Sequence, residues 1–210
     1  MEVKNLRLRY YIIIFLFVLT GCSAESAEAI KPDQLITDSI TLTPVDLTQG
    51  ETAKLRPFLG TMSGAFKLRY EEEKPSASLD MDIWENGVKV DSAGSIGDLF
   101  FSPEGQVNNS NEIEVIISID TVRTEEDKEV CIVKISTGSG LATFTLPWKS
   151  ELKGRGLIQN TETLTFTPDH PVHTFAMHAT SSNQVFAGGF SEESLSKIEW
   201  ALVFTLRFDE

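Results

Sequence analysis

The last segment of the chain constrains the fold most, because apolar side chains recur there at every second position. One predicted face consists of Ile198, Trp200, Leu202, Phe204, Leu206 and Phe208. The opposite face is more mixed and consists of Glu199, Ala201, Val203, Thr205 and Arg207. A repeat of two residues is the repeat of a β-strand. The segment therefore predicts a strand that turns one face to the core and the other to solvent.

Shorter runs rich in β-branched and aromatic residues recur through the rest of the chain. They cover residues 62–71, 79–84, 113–119, 130–135, 141–146, 161–166 and 172–178. Asn86-Gly87 predicts a tight hairpin, because both residues readily adopt positive φ. No window keeps a helical period, and residues 191–197 allow one helical turn at most. We predict about eight to ten strands in an antiparallel β-sandwich, immunoglobulin-like or jelly-roll, with a β-barrel as the alternative.

The charge balance of the chain excludes two classes of partner. Its 210 residues include 18 Lys and Arg against 31 Asp and Glu, a net charge of −13. Residues 1–21 carry Lys4, Arg7 and Arg9 against Glu2, so their +2 leaves −15 for residues 22–210. An excess of that sign excludes phosphate-driven binding of nucleic acid and docking on anionic lipid through a basic patch. The two cysteines are too few for a disulfide framework.

The N-terminus has the features of an export signal. Three basic residues precede an apolar run at residues 10–19, YYIIIFLFVL. Ten helical residues reach about 15 Å, half of the hydrocarbon core, so the run predicts a secretory signal peptide rather than a membrane-spanning helix. Leu19-Thr20-Gly21-Cys22 follows, an aliphatic residue, two small residues and a cysteine. This pattern resembles the lipobox of bacterial lipoproteins.

The resemblance implies a lipid anchor. In that family the cysteine thiol, here that of Cys22, receives a diacylglyceryl group. A peptidase then cuts between Gly21 and Cys22, and Cys22 becomes the first residue. The next residue is Ser23 rather than Asp. In that family, a residue other than Asp at this position favours sorting to the outer membrane, if the source has one. We therefore expect an extracytoplasmic protein that is anchored to the membrane by the lipid on Cys22.

The expected organisation has three parts. Residues 1–21 are the signal peptide. Residues 22–49 are the lipidated N-terminus with a small, polar tether, since SAESAEAIKPDQ has little bulk to bury. Within them, residues 35–47 are rich in β-branched residues and form either a first strand or an extended arm. Residues 50–210 are the sandwich domain.

Asp80, Asp82 and Trp84 are the candidate ligand-binding residues. They alternate with apolar residues, so a strand places all three on one face. Paired carboxylates beside an aromatic ring occur in sugar-binding and glycosidase sites, and also on the solvent face of any amphipathic strand.

His170, His173 and His178 are the candidate metal ligands. If residues 172–178 form a regular strand, His173 and His178 point to opposite faces, because five positions separate them. We therefore expect no metal site and no cofactor. Cys131 lies within an apolar strand pattern and predicts a buried, inert thiol.

No motif marks a catalytic set, and three functions remain open. The first is a non-enzymatic binding or accessory module that contacts an envelope protein or glycan. The second is a carrier of a small ligand or metal. The third is an envelope hydrolase whose catalytic residues are dispersed along the chain.

Overall fold

The computed structural model describes residues 39–101, 111–182 and 184–209, without the side chain of residue 51. The strands are Ile40–Val45 (β1), Met62–Tyr70 (β2), Ser76–Glu85 (β3), Val88–Ile96 (β4), Glu112–Arg123 (β5), Glu129–Thr137 (β6), Gly140–Pro147 (β7), Gly154–Gln159 (β8), Leu164–Phe166 (β9), Val172–Thr180 (β10) and Trp200–Asp209 (β11). A 3₁₀ helix spans Gly50–Phe58, and a single α-helical turn, α1, spans Glu192–Leu195. The expected signal peptide, the cleavage site at Gly21 and the lipidation site at Cys22 lie outside the described residues.

The strands form two antiparallel sheets that pack face to face. The six-stranded sheet has the order β7-β6-β5-β2-β1-β9, and the five-stranded sheet has the order β4-β3-β11-β10-β8. The prediction of an antiparallel β-sandwich is confirmed. The alternative of a closed barrel is wrong, because the described strands form two separate sheets, each with its own edge strands.

The core lies between the two sheets and is built from alternate residues of each strand. Its fully buried members include Leu42, Leu68, Leu79, Met81, Ile117, Ile119, Val133, Ile135, Phe175, Phe204 and Leu206. Phe175 and Phe204 meet edge to face, with ring centroids 5.6 Å apart. Burial of this apolar surface is the main source of stability for the sandwich.

β11 is buried on both faces, which corrects the prediction of a half-buried strand. Its inner residues join the main core, and Ala201 and Val203 on its other face are 0% exposed. Ile198 precedes the strand and belongs to this second cluster, not to the inner face. β11 is the middle strand of its sheet, and residues 184–198, the cover segment, pack over its outer side.

The first strand of the domain begins before the boundary expected at residue 50. β1 pairs with β2 on one side and with β9 on the other, so it is an interior strand of the six-stranded sheet. Ile40 and Leu42 lie in the core, at 2% and 1% exposure. The domain therefore includes residues from about the start of β1, which is the first-strand alternative for residues 35–47.

The hairpin predicted at Asn86-Gly87 joins β3 to β4. The two residues have φ of 51° and 77°, the paired positive values that a type I′ turn requires. A Cβ on Gly87 would collide with the Cα of Ser196, at the end of α1. The turn therefore also packs against the cover segment.

A search of the described residues for a membrane-spanning helix finds none of sufficient length and hydrophobicity.

Candidate functional site

The outer face of the five-stranded sheet carries the residues that the sequence singled out. Leu79 and Met81 point into the core, so Asp80, Asp82 and Trp84 share the opposite face, as the alternation predicted. The cover segment lies over the middle of this face. Its cluster of apolar side chains comprises Ile158, Ala176, Leu195, Ile198, Ala201 and Val203, with Trp84, Phe186 and Phe190 packed against it.

Asp80 and Asp82 take part in a set of polar contacts that joins three strands. Asp80 Oδ2 lies 2.6 Å from Nε of Arg207, and Asp80 Oδ1 accepts a hydrogen bond from Ser95 Oγ at 2.7 Å. Asp82 Oδ1 lies 2.7 Å from Nζ of Lys89, and Asp82 Oδ2 lies 3.9 Å from Nη2 of Arg207. We call these five residues the carboxylate network. Its two acids and two bases balance in charge and link β4, β3 and β11.

The members of the network differ in exposure. The Asp82 side chain is 3% exposed, whereas those of Lys89 and Arg207 are each 42% exposed. A buried carboxylate without a cationic partner is costly, so Lys89 and Arg207 are needed to keep Asp82 in place. Their own charged ends stay open to solvent.

His173 on β10 lies beside this network. Its Nδ1 is 2.9 Å from Oγ1 of Thr205, a buried residue of β11. Burial is the main cause that lowers the pKa of His173; the charge of Asp82 opposes the shift and that of Arg207 adds to it. The imidazole is therefore neutral at neutral pH and acts through hydrogen bonding and packing.

Trp84 forms a wall of the site. Its ring is half-buried and meets the His173 ring edge to face, with centroids 5.7 Å apart. Phe190 of the cover segment contacts the same imidazole, with centroids 5.8 Å apart. The Trp84 Nε1 atom is buried, without a hydrogen-bond partner among the described residues. The Nε1 edge of the indole is thus packed into the protein, and the ring as a whole remains half-buried.

The prediction that His173 and His178 point to opposite faces is wrong. The pairing of β10 with β11 shifts between His173 and Phe175, so Thr174 is a bulge residue. A bulge inserts one residue and reverses the alternation beyond it. Phe175 and Met177 consequently face the core, and both histidines lie on the outer face.

The three histidines nevertheless occupy separate places. His170 is exposed in a turn next to Asp169, whereas His173 and His178 lie at different positions along β10. Within the described ranges no group of three or more His, Cys, Asp or Glu side chains comes together as a metal-binding set.

A pocket of about 440 Å³ lies beside the cover segment, and we call it the His178 pocket. His178, Glu199, Lys197, Val185, Phe186 and Ile198 are among the residues that line it. His178 is 2% exposed, and its Nε2 has no hydrogen-bond partner among the described residues. Burial lowers the pKa of His178, and a hydrogen bond with the Phe186 backbone opposes that shift.

Glu199 is held at the edge of this pocket by β10. Its Oε2 accepts hydrogen bonds from the backbone N–H of Ser181 at 2.8 Å, from Thr180 Oγ1 at 2.9 Å and from Ser181 Oγ at 3.1 Å. The Ser181 backbone bond is the main cause that lowers the pKa of Glu199. The carboxylate is therefore ionised at neutral pH and fixed in orientation.

Cys131 lies in the core, as the sequence predicted, at 0% exposure. Burial raises the pKa of its thiol to about 11, so little thiolate is present at neutral pH.

Sequence reasoning identified the two acids but missed the residues that complete both features. The alternation places Arg207 on the mixed face, but its contact with Asp80 depends on the register of β11 on β3. Glu199 and the pocket depend on how the cover segment folds back over the sheet. Neither the register of β11 on β3 nor the path of the cover segment leaves a local pattern in the sequence.

Comparison with protein-family models, with curated proteins and with solved structures finds no match to this chain.

Proposed function

We propose that this chain is a lipoprotein of the cell envelope that binds another envelope component without transforming it. The support for the anchor is the order of basic start, apolar run, small pair and Cys22. A diacylglyceryl group carries two acyl chains, which suffice for stable anchoring where one chain does not. The protein then stands at an extracytoplasmic membrane surface, the outer membrane if the source has one. Its partner is an envelope protein or glycan.

The carboxylate network is the observation that favours binding over catalysis. A glycosidase needs one carboxylic acid that can donate a proton and a second carboxylate that can attack or act as a base. Both oxygens of Asp80 are engaged, by Ser95 and Arg207, and both oxygens of Asp82 face a cation. The groups left open to solvent are the donor ends of Arg207 and Lys89, which can donate to the acceptor oxygens of a partner.

Metabolic labelling tests the anchor. Cells that express the full chain are fed an alkyne-bearing fatty acid, and the label on the purified protein is measured. We expect the wild type and Cys131→Ser to be labelled equally, because Cys131 is buried, and Cys22→Ser to be unlabelled. Label that persists in Cys22→Ser contradicts the proposed anchor.

A secreted variant separates the anchor from the rest of the chain. Residues 1–22 are replaced by a standard cleavable secretion signal, and the exported protein is fractionated. We expect all of it in the soluble exported fraction, because the charge of −15 gives no attraction to anionic lipid. Sedimentation with membranes that resists a high-salt wash means that another part of the chain binds lipid or an integral partner.

Site-specific cross-linking in intact cells tests the binding face. A photoreactive residue is placed at Ser92, which lies opposite Asp82 on β4, and as a control at Thr143, which is exposed on the other sheet. We expect a discrete cross-linked product from position 92 that weakens when Arg207→Gln is added. Equal products from both positions, or no effect of Arg207→Gln, contradict the assignment of this face.

A further inference from the structure

We propose that the His178 pocket binds a small neutral ligand with several hydroxyl groups, about the size of a monosaccharide. The observations behind this inference do not involve Cys22 or the carboxylate network. It therefore stands whether or not Cys22 is acylated and whether or not the carboxylate network contacts a partner.

The pocket offers two hydrogen-bond acceptors to a ligand, one buried and one exposed. The Nε2 atom of His178 is buried and has no partner among the described residues. The three hydrogen bonds to Glu199 all reach Oε2, and within the described part of the chain none reaches Oε1. Unpartnered buried polar atoms such as Nε2 of His178 are rare in folded proteins because they cost free energy. Glu199 is exposed, so its Oε1 is open to solvent. A ligand that donates two hydrogen bonds pairs with Nε2 of His178 and replaces solvent at Oε1 of Glu199.

The spacing of the two acceptors suits a small ring. The Glu199 carboxylate accepts a hydrogen bond from Thr180, two residues after His178 on β10. Residues two apart on a strand are about 7 Å apart, a distance that two hydroxyl groups on one sugar ring can span with their hydrogen bonds.

The pocket also has the apolar surface that a sugar ring requires. Val185, Phe186 and Ile198 line it, and its volume of about 440 Å³ suits a small organic molecule. A sugar has both hydroxyl donors and a C–H face, so it pairs with polar and apolar walls together.

The charges around the pocket disfavour an ionic ligand. Glu199 repels an anion, and the ammonium group of Lys197, which also lines the pocket, repels a cation. Lys197 is fixed by an ion pair with Glu193 at 2.8 Å. A neutral ligand with hydroxyl groups avoids both penalties.

Gly156 on the neighbouring strand β8 makes room for the imidazole. A Cβ at this position would collide with Nε2 of His178 and with Cγ1 of Val185. Val185 therefore lies next to the unpartnered nitrogen. Its side chain is 45% exposed, so a ligand can displace it toward solvent at little cost.

Saturation-transfer NMR on the full chain, purified in a detergent that carries no sugar, tests the proposal. The probes are D-glucose, N-acetyl-D-glucosamine and myo-inositol, each at about 20 mM, a range that detects millimolar affinity. We expect transfer to at least one of them. Glu199→Gln preserves the size of an exposed side chain and should weaken binding about tenfold, because it removes a charged acceptor. Glu162→Gln, in an exposed loop outside the pocket, should bind as the wild type does.

His178→Leu gives a second measurement, with thermal unfolding to show that the variant is folded. It should also weaken binding about tenfold, because it removes the unpartnered acceptor. No transfer to any of the three probes overturns the proposal, as does transfer that is equal in the wild type and Glu199→Gln. Preferential binding of 1,4-diaminobutane, a cationic control, overturns the assignment to a neutral ligand.

Discussion

The outer face of the five-stranded sheet has two differently built ends. At the carboxylate network, each oxygen of Asp80 and Asp82 faces a cation or a hydroxyl donor. At the His178 pocket, Nε2 of His178 and Oε1 of Glu199 have no such partner among the described residues. Both ends lie on one sheet, and the same strand, β10, supplies His173 beside the network and His178 in the pocket. They differ in whether the buried polar side chain faces a charged partner: Asp82 does, and His178 Nε2 has no partner among the described residues.

That difference separates stabilisation from binding. In the network, the buried Asp82 faces two cations; its Oδ1 has an ion pair with Lys89 but no hydrogen bond, so the network contributes rigidity through charge and is costly to break. In the pocket, the buried acceptor Nε2 of His178 has neither, so the pocket is less stable when empty and gains free energy when a donor enters. Changes at the network should therefore alter the free energy of unfolding, and changes at the pocket should alter ligand affinity.

Trp200→Ala should have the largest effect on stability, and it gives the scale for the other changes. The side chain is 5% exposed and meets Trp148 edge to face, with ring centroids 5.3 Å apart. Removal of a buried indole costs about 3–5 kcal/mol, measured as the free energy of unfolding in urea. A loss below about 1 kcal/mol would show that the indole is not packed in the core.

A pair of lysine substitutions compares the two ends directly. Lys89→Ala leaves the buried carboxylate of Asp82 with only the longer contact to Arg207, and we expect a loss of about 2 kcal/mol because Lys89 itself is partly exposed. Lys197→Ala removes an exposed pair with Glu193, and we expect a loss below about 0.5 kcal/mol. Equal losses in urea unfolding would remove the distinction between a stabilising end and a binding end.

The smallest expected effect is a pH dependence that both ends share. Burial lowers the folded-state pKa of His173 and of His178 below the ordinary value of 6.5. The unfolded chain therefore binds more protons than the folded one once the pH falls below about 6.5. The stability that the neutral imidazoles provide is present above that pH and is lost as the pH falls toward the folded-state values. Urea unfolding between about pH 8 and about pH 5 measures this loss.

Single substitutions assign the pH dependence to residues. His173 is faced by Asp82 and Arg207, and His178 shares its pocket with Glu199 and Lys197. Replacement of His173 or His178 by Gln should flatten the profile, and His170→Gln, in an exposed turn, is the control. A profile that flattens only in the control would refute the assignment.

The strands were predictable because a period of two is a local property. The faces of β3 followed from the alternation of apolar and polar residues between Leu79 and Trp84, and the φ values at Asn86-Gly87 followed from the residue types. The ion pair between Asp80 and Arg207 was not predictable, since 127 positions separate the two residues. Such a contact is set by which strands pair and in what register.

One residue explains the error about the histidines. The alternation of residues between the two faces of a strand continues only while the pairing is regular. Thr174 is an extra residue in the pairing of β10 with β11, so it shifts the alternation by one position. Its hydroxyl hydrogen-bonds to the carbonyl of Phe204 at 3.3 Å, a local arrangement with no sequence signature. Ile198 illustrates a similar limit, because the alternation of apolar residues begins at Ile198, two residues before β11 itself begins at Trp200.

The position of β1 determines how the domain responds to mechanical load. Tension applied along the chain from its N-terminal side enters the sandwich at Ile40, in a strand that is bonded on both flanks. The hydrogen bonds between antiparallel strands lie across the strand direction, so a pull along β1 loads them in shear and all together. These hydrogen bonds do not break one after another, as they do when an edge strand is pulled away from a sheet. The domain should therefore resist extension from its N-terminal end better than extension through β9, which contributes three residues to the edge of the same sheet.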